Sequence, residues 1–206
     1  MSNGYFISFE GVDGSGKSTQ ISKLKEYLEA SGYEVVLSRE PGGTDIGEQI
    51  RSVILDPKNE GMTAVTEALL YAASRAQHVH DVIAPAVDAG KVVICDRFVD
   101  SSIAYQQYGR KLGECVRIIN GYAIDGCMPD LTFLLKVKPD VGGTRIGSRE
   151  KDRIELEDKS FHEAVYQGYE SLQEEFSERI VGIDAARSVD EIFAEIKEYM
   201  DRLLKE

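Results

Sequence analysis

Cysteine, long apolar runs and positive charge are all scarce in this sequence of 206 residues. The three cysteines, Cys95, Cys115 and Cys127, are far apart and form no Cys-x-x-Cys pair, which argues against a disulfide framework and a zinc site. No apolar run approaches the ~18 residues that a membrane-spanning helix needs, and no signal-peptide pattern occurs. We therefore expect a protein of the reducing cytoplasm with no membrane segment.

Acidic residues outnumber basic ones: 36 Asp and Glu stand against 24 Lys and Arg, a formal net charge of −12. Such a charge repels phosphate backbones and anionic lipids at long range, so we expect neither nucleic acid nor a membrane surface as a partner. An anionic ligand must instead be held by a local cluster of donors. The length of the chain fits a single domain, residues 1–206.

Strand-like and helix-like segments alternate along the whole chain, which is typical of an α/β fold built from parallel β-α-β units. Five short apolar segments predict strands, at residues 5–10, 34–38, 91–95, 131–137 and 179–183. Helical periodicity places Leu69, Ile118 and Tyr122 among the expected core residues. Ser188 and Glu191 predict a capping box at the start of the last helix.

The strongest motif fits the pattern Gly-x-x-x-x-Gly-Lys-Ser/Thr and stands between a predicted strand and a predicted helix. In this pattern the glycines turn backbone N–H groups towards phosphates, Lys17 reaches the β- and γ-phosphates, and Ser18 can ligate Mg²⁺. An ordinary glycine-rich turn is the alternative, but it would not need the lysine, the hydroxyl and this placement together. The residues expected to bind the nucleotide, ATP, are Gly11, Val12, Asp13, Gly14, Ser15, Gly16, Lys17, Ser18 and Thr19.

A P-loop alone does not separate kinases from GTPase switches or motor ATPases. The Asn/Thr-Lys-x-Asp segment with which Ras-type GTPases read guanine is absent from the sequence. Asp96 and Arg97 follow the third predicted strand, at the edge where a doubly wound sheet binds ligands. There an acid can orient Mg²⁺ and an arginine can bind two phosphates that repel each other, although a strand-end ion pair is the alternative.

Four segments, in this order and spacing, span most of the chain: residues 9–19, Arg39-Glu40-Pro41-Gly42-Gly43-Thr44, Ala73-Ser74-Arg75-Ala76-Gln77-His78 and residues 96–106. Together they resemble the thymidylate kinase family. The resemblance implies a three-layer P-loop NTPase-like fold with a five-stranded parallel sheet flanked by helices, the reaction ATP + dTMP → ADP + dTDP with Mg²⁺, and a homodimer. Two alternatives stay open: another nucleotide or nucleoside kinase of this fold, and a P-loop ATPase switch.

The resemblance also implies roles for individual residues. Lys17 and Ser18 would bind the ATP phosphates and Mg²⁺, Asp96 would position the metal ion, and Arg97 would bridge the donor and acceptor phosphates. Tyr71 stands where the family commonly has a phenylalanine that stacks on thymine, so a ring is retained. The residues carried over to the dTMP site are Asp13, Glu40, Arg51, Tyr71, Arg75, Arg97, Ser102, Tyr105 and Gln106.

Several of these residues have a purely structural alternative. Tyr71 lies among apolar neighbours and could belong to the core, and Arg51 and Arg75 could be solvated helix charges. The histidines, His78 included, lack the i, i+4 spacing of a metal site on a helix, so we assign no chemistry to them.

A basic, glycine-containing segment at residues 142–153 has almost nothing to bury, and we expect it to be a mobile surface segment. It resembles the lid of family members that carry their catalytic arginine there, and the P-loop of this chain has no arginine of its own. We therefore expect a lid at about residues 141–156 that closes over ATP. Arg149 is the expected catalytic arginine, with Arg153 as a second candidate; a basic loop without a catalytic role is the alternative.

Overall fold

A parallel five-stranded sheet forms the centre of the computed structural model, which describes residues 4–138 and 151–205. The strands are β1 (Tyr5–Glu10), β2 (Val35–Arg39), β3 (Val92–Asp96), β4 (Leu131–Lys136) and β5 (Ile180–Asp184). Their order is β2-β3-β1-β4-β5, and every pairing is parallel. This confirms the predicted α/β fold. The predicted strand boundaries differ from these by one residue at most.

Helices connect successive strands, and the last helix follows β5. They are α1 (Lys17–Ala30), α2 (Asp45–Leu55), α3 (Ala64–His78), α4 (Ala84–Asp88), α5 (Val99–Ser102), α6 (Cys115–Ile124), α7 (Lys159–Glu175) and α8 (Val189–Leu203). A π-helical turn, Val79–Ile83, joins α3 to α4, and a second, Ile103–Gly109, follows α5. The first of these turns ends two residues before Pro85, whose ring and missing N–H disrupt the regular hydrogen bonding of the preceding turn. Among the described residues, no helix is both long and apolar enough to cross a bilayer.

Both faces of the sheet are covered, which gives the fold three layers. Ile7 and Phe9 of β1 pack with residues of α1 and α8 on one face. Phe6, which alternates with them, packs with residues of the Val79–Ile83 turn and α4. Because a parallel strand covered on both sides has no polar face, the buried strands β3 and β4 read as mainly apolar runs in the sequence, whereas the edge strand β2 has no fully buried residue.

The predicted core faces of α3 and α6 are wrong. Leu69 is 51% exposed, Ile118 is 60% exposed and Tyr122 is 85% exposed. These helices instead turn polar side chains inwards, among them Arg75 and Asn120, which are 1% exposed. A buried hydrogen-bond network therefore sets the rotation of these two helices. The predicted capping box at the start of α8 is confirmed.

Candidate active site

The loop between β1 and α1 forms a cradle of backbone and lysine. Gly11 has φ +128°, and a methyl group there would lie 2.4 Å from the carbonyl oxygen of Leu135, so only glycine fits. Gly16, with φ +96°, is the residue directly before α1, so the N-terminus of this helix opens into the loop. Lys17 Nζ donates to the carbonyl oxygens of Gly11 at 3.1 Å and Val12 at 3.3 Å, which folds the lysine back over the loop.

Two buried polar groups in this cradle lack interactions that would offset the cost of their burial. Burial, together with the nearby Arg97, lowers the pKa of Lys17 from 10.5 to about 8, against the opposing carboxylates of Asp96 and Asp13. The buried Ser15 hydroxyl has no hydrogen-bond partner within the described parts of the chain. A bound anion would stabilise the ammonium ion, so the cradle is suited to phosphate.

A cleft of about 570 Å³ opens beside the cradle. It lies at the carboxyl ends of β1 and β3, where the connections from the sheet diverge. The predicted residues that line it are Asp13, Gly14, Gly16, Lys17, Ser18, Thr19, Glu40, Arg51, Tyr71, Arg75, Asp96, Arg97, Ser102, Tyr105 and Gln106. Residues predicted for the ATP side and for the dTMP side therefore share one continuous space, although Gly11, Val12 and Ser15 are not among its lining residues.

Arg97 stands on the wall between the two parts of the cleft. Its backbone has φ +70°, a strained value for a residue with a side chain. Its guanidinium donates to Asp13 Oδ1 at 2.8 Å, to Tyr169 Oη at 3.1 Å and to Ser101 Oγ at 3.2 Å. These contacts fix the direction of the cation.

Beneath Arg97 lies Glu10, a buried carboxylate that sequence reasoning missed. It accepts from the Ser101 hydroxyl at 2.6 Å, from the Tyr169 hydroxyl at 2.9 Å and from the Phe98 N–H at 2.7 Å. Burial and the nearby Asp100 raise the pKa of Glu10. Glu10 and Tyr169 are 159 positions apart in the chain, so no local sequence pattern predicts their contact.

Arg75, which also lines the cleft, is not a solvated helix charge. It is 1% exposed, and it donates to Glu40 Oε2 at 2.8 Å, to Ser102 Oγ at 2.8 Å and to the Phe98 carbonyl at 3.0 Å. The second oxygen of Glu40 lies 2.9 Å from His78 Nδ1. Since a carboxylate only accepts, His78 donates through Nδ1. His78, to which the sequence assigns no chemistry, therefore holds Glu40 in place.

The remaining dTMP-side candidates lie around the same cavity. Tyr71 is half-buried and lines the cleft, so the core interpretation of this ring is wrong. Arg51 donates to the Pro41 carbonyl at 2.8 Å, and burial lowers the pKa of Arg51.

The Tyr105 ring lies 5.3 Å from the Arg97 guanidinium, in cation–π geometry. Gln106 is 1% exposed and donates through Nε2 to a buried carboxylate, Glu67, at 2.9 Å.

Ser18 and Asp96 offer the hard oxygen ligands that Mg²⁺ prefers, and both line the cleft. Asp96 Oδ1 is buried and has no hydrogen-bond partner among residues 4–138 and 151–205. An ionised oxygen in this state is suited to a cation or to water held by one. The residues present therefore fit a magnesium ion that is also bound by nucleotide phosphate.

The expected mobile surface segment is wrong at its C-terminal end. Arg153 is 6% exposed, because its guanidinium donates to Glu67 Oε2 at 2.6 Å and to the Ile54 carbonyl at 2.8 Å. Its neighbours Asp152 and Ile154 line the cleft, whereas Arg153 itself turns away into this ion pair. Arg149 lies outside the described residues.

Comparison with known proteins agrees with this geometry. The thymidylate kinase family model matches residues 9–196. The thymidylate kinase of Geobacillus sp. (strain WCH70) is 52% identical over 93% of both chains, and that of Clostridium novyi (strain NT) is 49% identical over 97% of this chain and all of its own. The crystal structure of thymidylate kinase from Ehrlichia chaffeensis superposes with a TM-score of 0.78 at 33% identity, covering 96% of this chain and 99% of that one. The chain belongs to the thymidylate kinase family.

Proposed function

We propose that the protein transfers the γ-phosphoryl group of ATP to dTMP, giving ADP and dTDP. The observation that carries this proposal is the position of Arg97. Its guanidinium borders both the cradle around Lys17 and the pocket lined by Tyr71, Ser102 and Gln106. A cation at this boundary can contact a donor phosphate and an acceptor phosphate at once.

Charge neutralisation and positioning are the main catalytic tasks in this reaction. The acceptor oxygen of a phosphate monoester is already anionic near neutral pH, so no strong general base is needed. Lys17 would hold the β- and γ-phosphates, and Arg97 would offset the repulsion between the two nucleotides. Mg²⁺, held by Ser18 and Asp96, would supply further neutralisation of phosphate charge.

A lid at about residues 141–156 is part of the proposal, and Arg149 is our candidate for its catalytic cation. The pairing of Arg153 with Glu67 favours Arg149 over Arg153 for contact with the transferring group. Closure of such a lid would exclude water and so limit hydrolysis of ATP.

For the acceptor, we propose that Tyr71 stacks on the thymine ring and that Ser102 and Gln106 bond its edge. Arg51 and Arg75 supply positive charge on the acceptor side of the cleft. Asp13 and Glu40 face the nucleotide sugar and the metal ion. Tyr105 disfavours an acceptor with a ribose 2′-hydroxyl. The support is that all of these residues line one cavity.

A coupled assay of ADP release with and without dTMP tests the proposed function. We expect rapid ADP release that depends on dTMP, at a rate well above the basal hydrolysis of ATP. A panel with dUMP and unphosphorylated thymidine separates dTMP kinase activity from that of another nucleotide or nucleoside kinase. Slow hydrolysis that dTMP does not change would instead identify an ATPase switch.

We further propose that the protein is a cytoplasmic homodimer. Helices α2 and α6 both pack against α3, and each of the three carries exposed apolar side chains, including Val53, Leu69 and Tyr122. Together these form an apolar surface that a second copy of the chain can cover. Light scattering should give twice the mass of 22.8 kDa, and Leu69→Asp should give the monomer mass. A monomeric parent protein would contradict this proposal.

A further inference from the structure

Glu67, on α3, is a fully buried carboxylate with three partners. Arg110 donates to it through Nε at 3.1 Å and Nη2 at 2.9 Å, Arg153 donates through Nη2 at 2.6 Å, and Gln106 donates through Nε2 at 2.9 Å. Its exposed fraction is 0%. No motif in the sequence points to a role for this residue.

This environment keeps Glu67 ionised. Burial by itself would raise the pKa of Glu67, but hydrogen bonds from Arg110 and Gln106, with that from Arg153, hold it below its ordinary value. An ionised carboxylate has acceptors and no donor. The amide of Gln106 must therefore turn its NH₂ group towards Glu67, because the flipped amide would bring two acceptors together.

Fixing the NH₂ group also fixes the other half of the amide. Gln106 lines the cleft and is 1% exposed. Its Oε1 is buried and has no hydrogen-bond partner in the part of the chain that the structure describes. A buried acceptor without a partner is costly unless a ligand donates to it. The cleft wall thus offers one oriented acceptor.

We propose that Glu67 is a positioning residue for base selection, which sets the amide of Gln106 so that the cleft presents an acceptor to a pyrimidine whose ring N3 carries hydrogen. Thymine and uracil have this N3–H donor. Cytosine has an unprotonated N3, which would place a second acceptor against Gln106 Oε1. The inference rests on the proposed function and specifies how that site would recognise its base.

The test compares kcat/KM for dTMP and dCMP in the parent protein and in Glu67→Gln. The introduced amide can meet Gln106 as donor or acceptor, so Gln106 is free to flip and accept either base. We expect the dTMP:dCMP ratio of kcat/KM to fall by at least about tenfold, mainly through KM. An unchanged ratio in the folded variant would overturn the inference.

Arg110→Met is the matched control. It removes one cation from Glu67 but leaves the Glu67–Gln106 bond, so the dTMP:dCMP ratio should stay at the parent value even if the protein becomes less stable. An equal loss of discrimination in this control would mean that Glu67 acts only as a structural ion-pair centre, and the inference would be wrong.

A second variant keeps the test decisive if Glu67→Gln does not fold. Gln106→Leu removes the oriented acceptor and leaves the ion pairs of Glu67 with Arg110 and Arg153. We expect it to lose discrimination between dTMP and dCMP as well, and retention of the parent ratio would overturn the inference. A parent protein without any dTMP-dependent ADP release would refute the proposed function itself, which is a separate outcome.

Discussion

Replacing Lys17 by methionine should make the ligand-free protein more stable while abolishing its response to ATP. Lys17 is 7% exposed, and its ammonium group donates to backbone carbonyls of the loop at 3.1 and 3.3 Å. Lys17→Met keeps most of the buried stem and removes the charge. The variant therefore measures how much the buried ammonium charge destabilises the folded protein when no phosphate is bound.

The size of the effect follows from the pKa of Lys17. A pKa lowered from 10.5 to about 8 means that the charged form is disfavoured in the fold by on the order of 3 kcal/mol. The full penalty applies below pH 8, where Lys17 is protonated in both the folded and the unfolded chain. Between pH 8 and 10.5 the unfolded chain still binds the proton that the folded protein has lost, so parent stability rises relative to the variant.

Urea unfolding of both proteins at pH 7 and at pH 10, without nucleotide, measures this difference. We expect Lys17→Met to unfold with a free energy up to about 3 kcal/mol higher at pH 7, and the gap to shrink at pH 10. ATP with Mg²⁺ should then raise the melting temperature of the parent and not that of the variant. A variant that is less stable than the parent at pH 7, or a gap independent of pH, would refute the reasoning.

Two further predictions concern Arg97, which would contact the donor and acceptor phosphates, and the last helix, α8. Arg97→Ala should lower turnover on the order of 10³-fold or more, while the Kd for ATP measured by calorimetry stays within a few fold. The reason is that Arg97 contacts charge that develops between the two nucleotides. Equal losses in turnover and ATP affinity would contradict this role. Ser188→Ala removes the N-cap of α8 and should lower the free energy of unfolding by about 1 kcal/mol in urea titrations, with turnover unchanged. No loss of stability would mean that the capping box contributes little.

The elements that the sequence predicts best are those that depend on neighbouring residues. Each strand contains a short apolar run with turn residues nearby, and the five observed strands lie within one residue of their predicted positions. The P-loop combines eight consecutive positions, residues 11–18, with a strand before it and a helix after it, so its geometry follows from local chemistry. The capping box at Ser188 is local in the same sense.

What the sequence could not predict depends on buried charges that meet across long distances in the chain. Glu67 meets Arg153 across 86 positions, and Arg75 meets Glu40 across 35. Such pairs have no periodicity, so the apolar residues of α3 suggested the wrong buried face. Because Glu67 and Arg75 turn inwards, each to its own buried partners, Leu69 is left on the surface. The same cause explains why Arg153 is buried although its segment reads as a basic surface loop.

A crystal structure with a non-hydrolysable ATP analogue, Mg²⁺ and dTMP bound together would test the central claim most directly. We predict the analogue's terminal phosphates at Lys17, the thymine ring beside Tyr71, and the dTMP phosphate within hydrogen-bond distance of the Arg97 guanidinium. Thymidine monophosphate bound outside this cleft, with its phosphate out of reach of Arg97, would contradict the account.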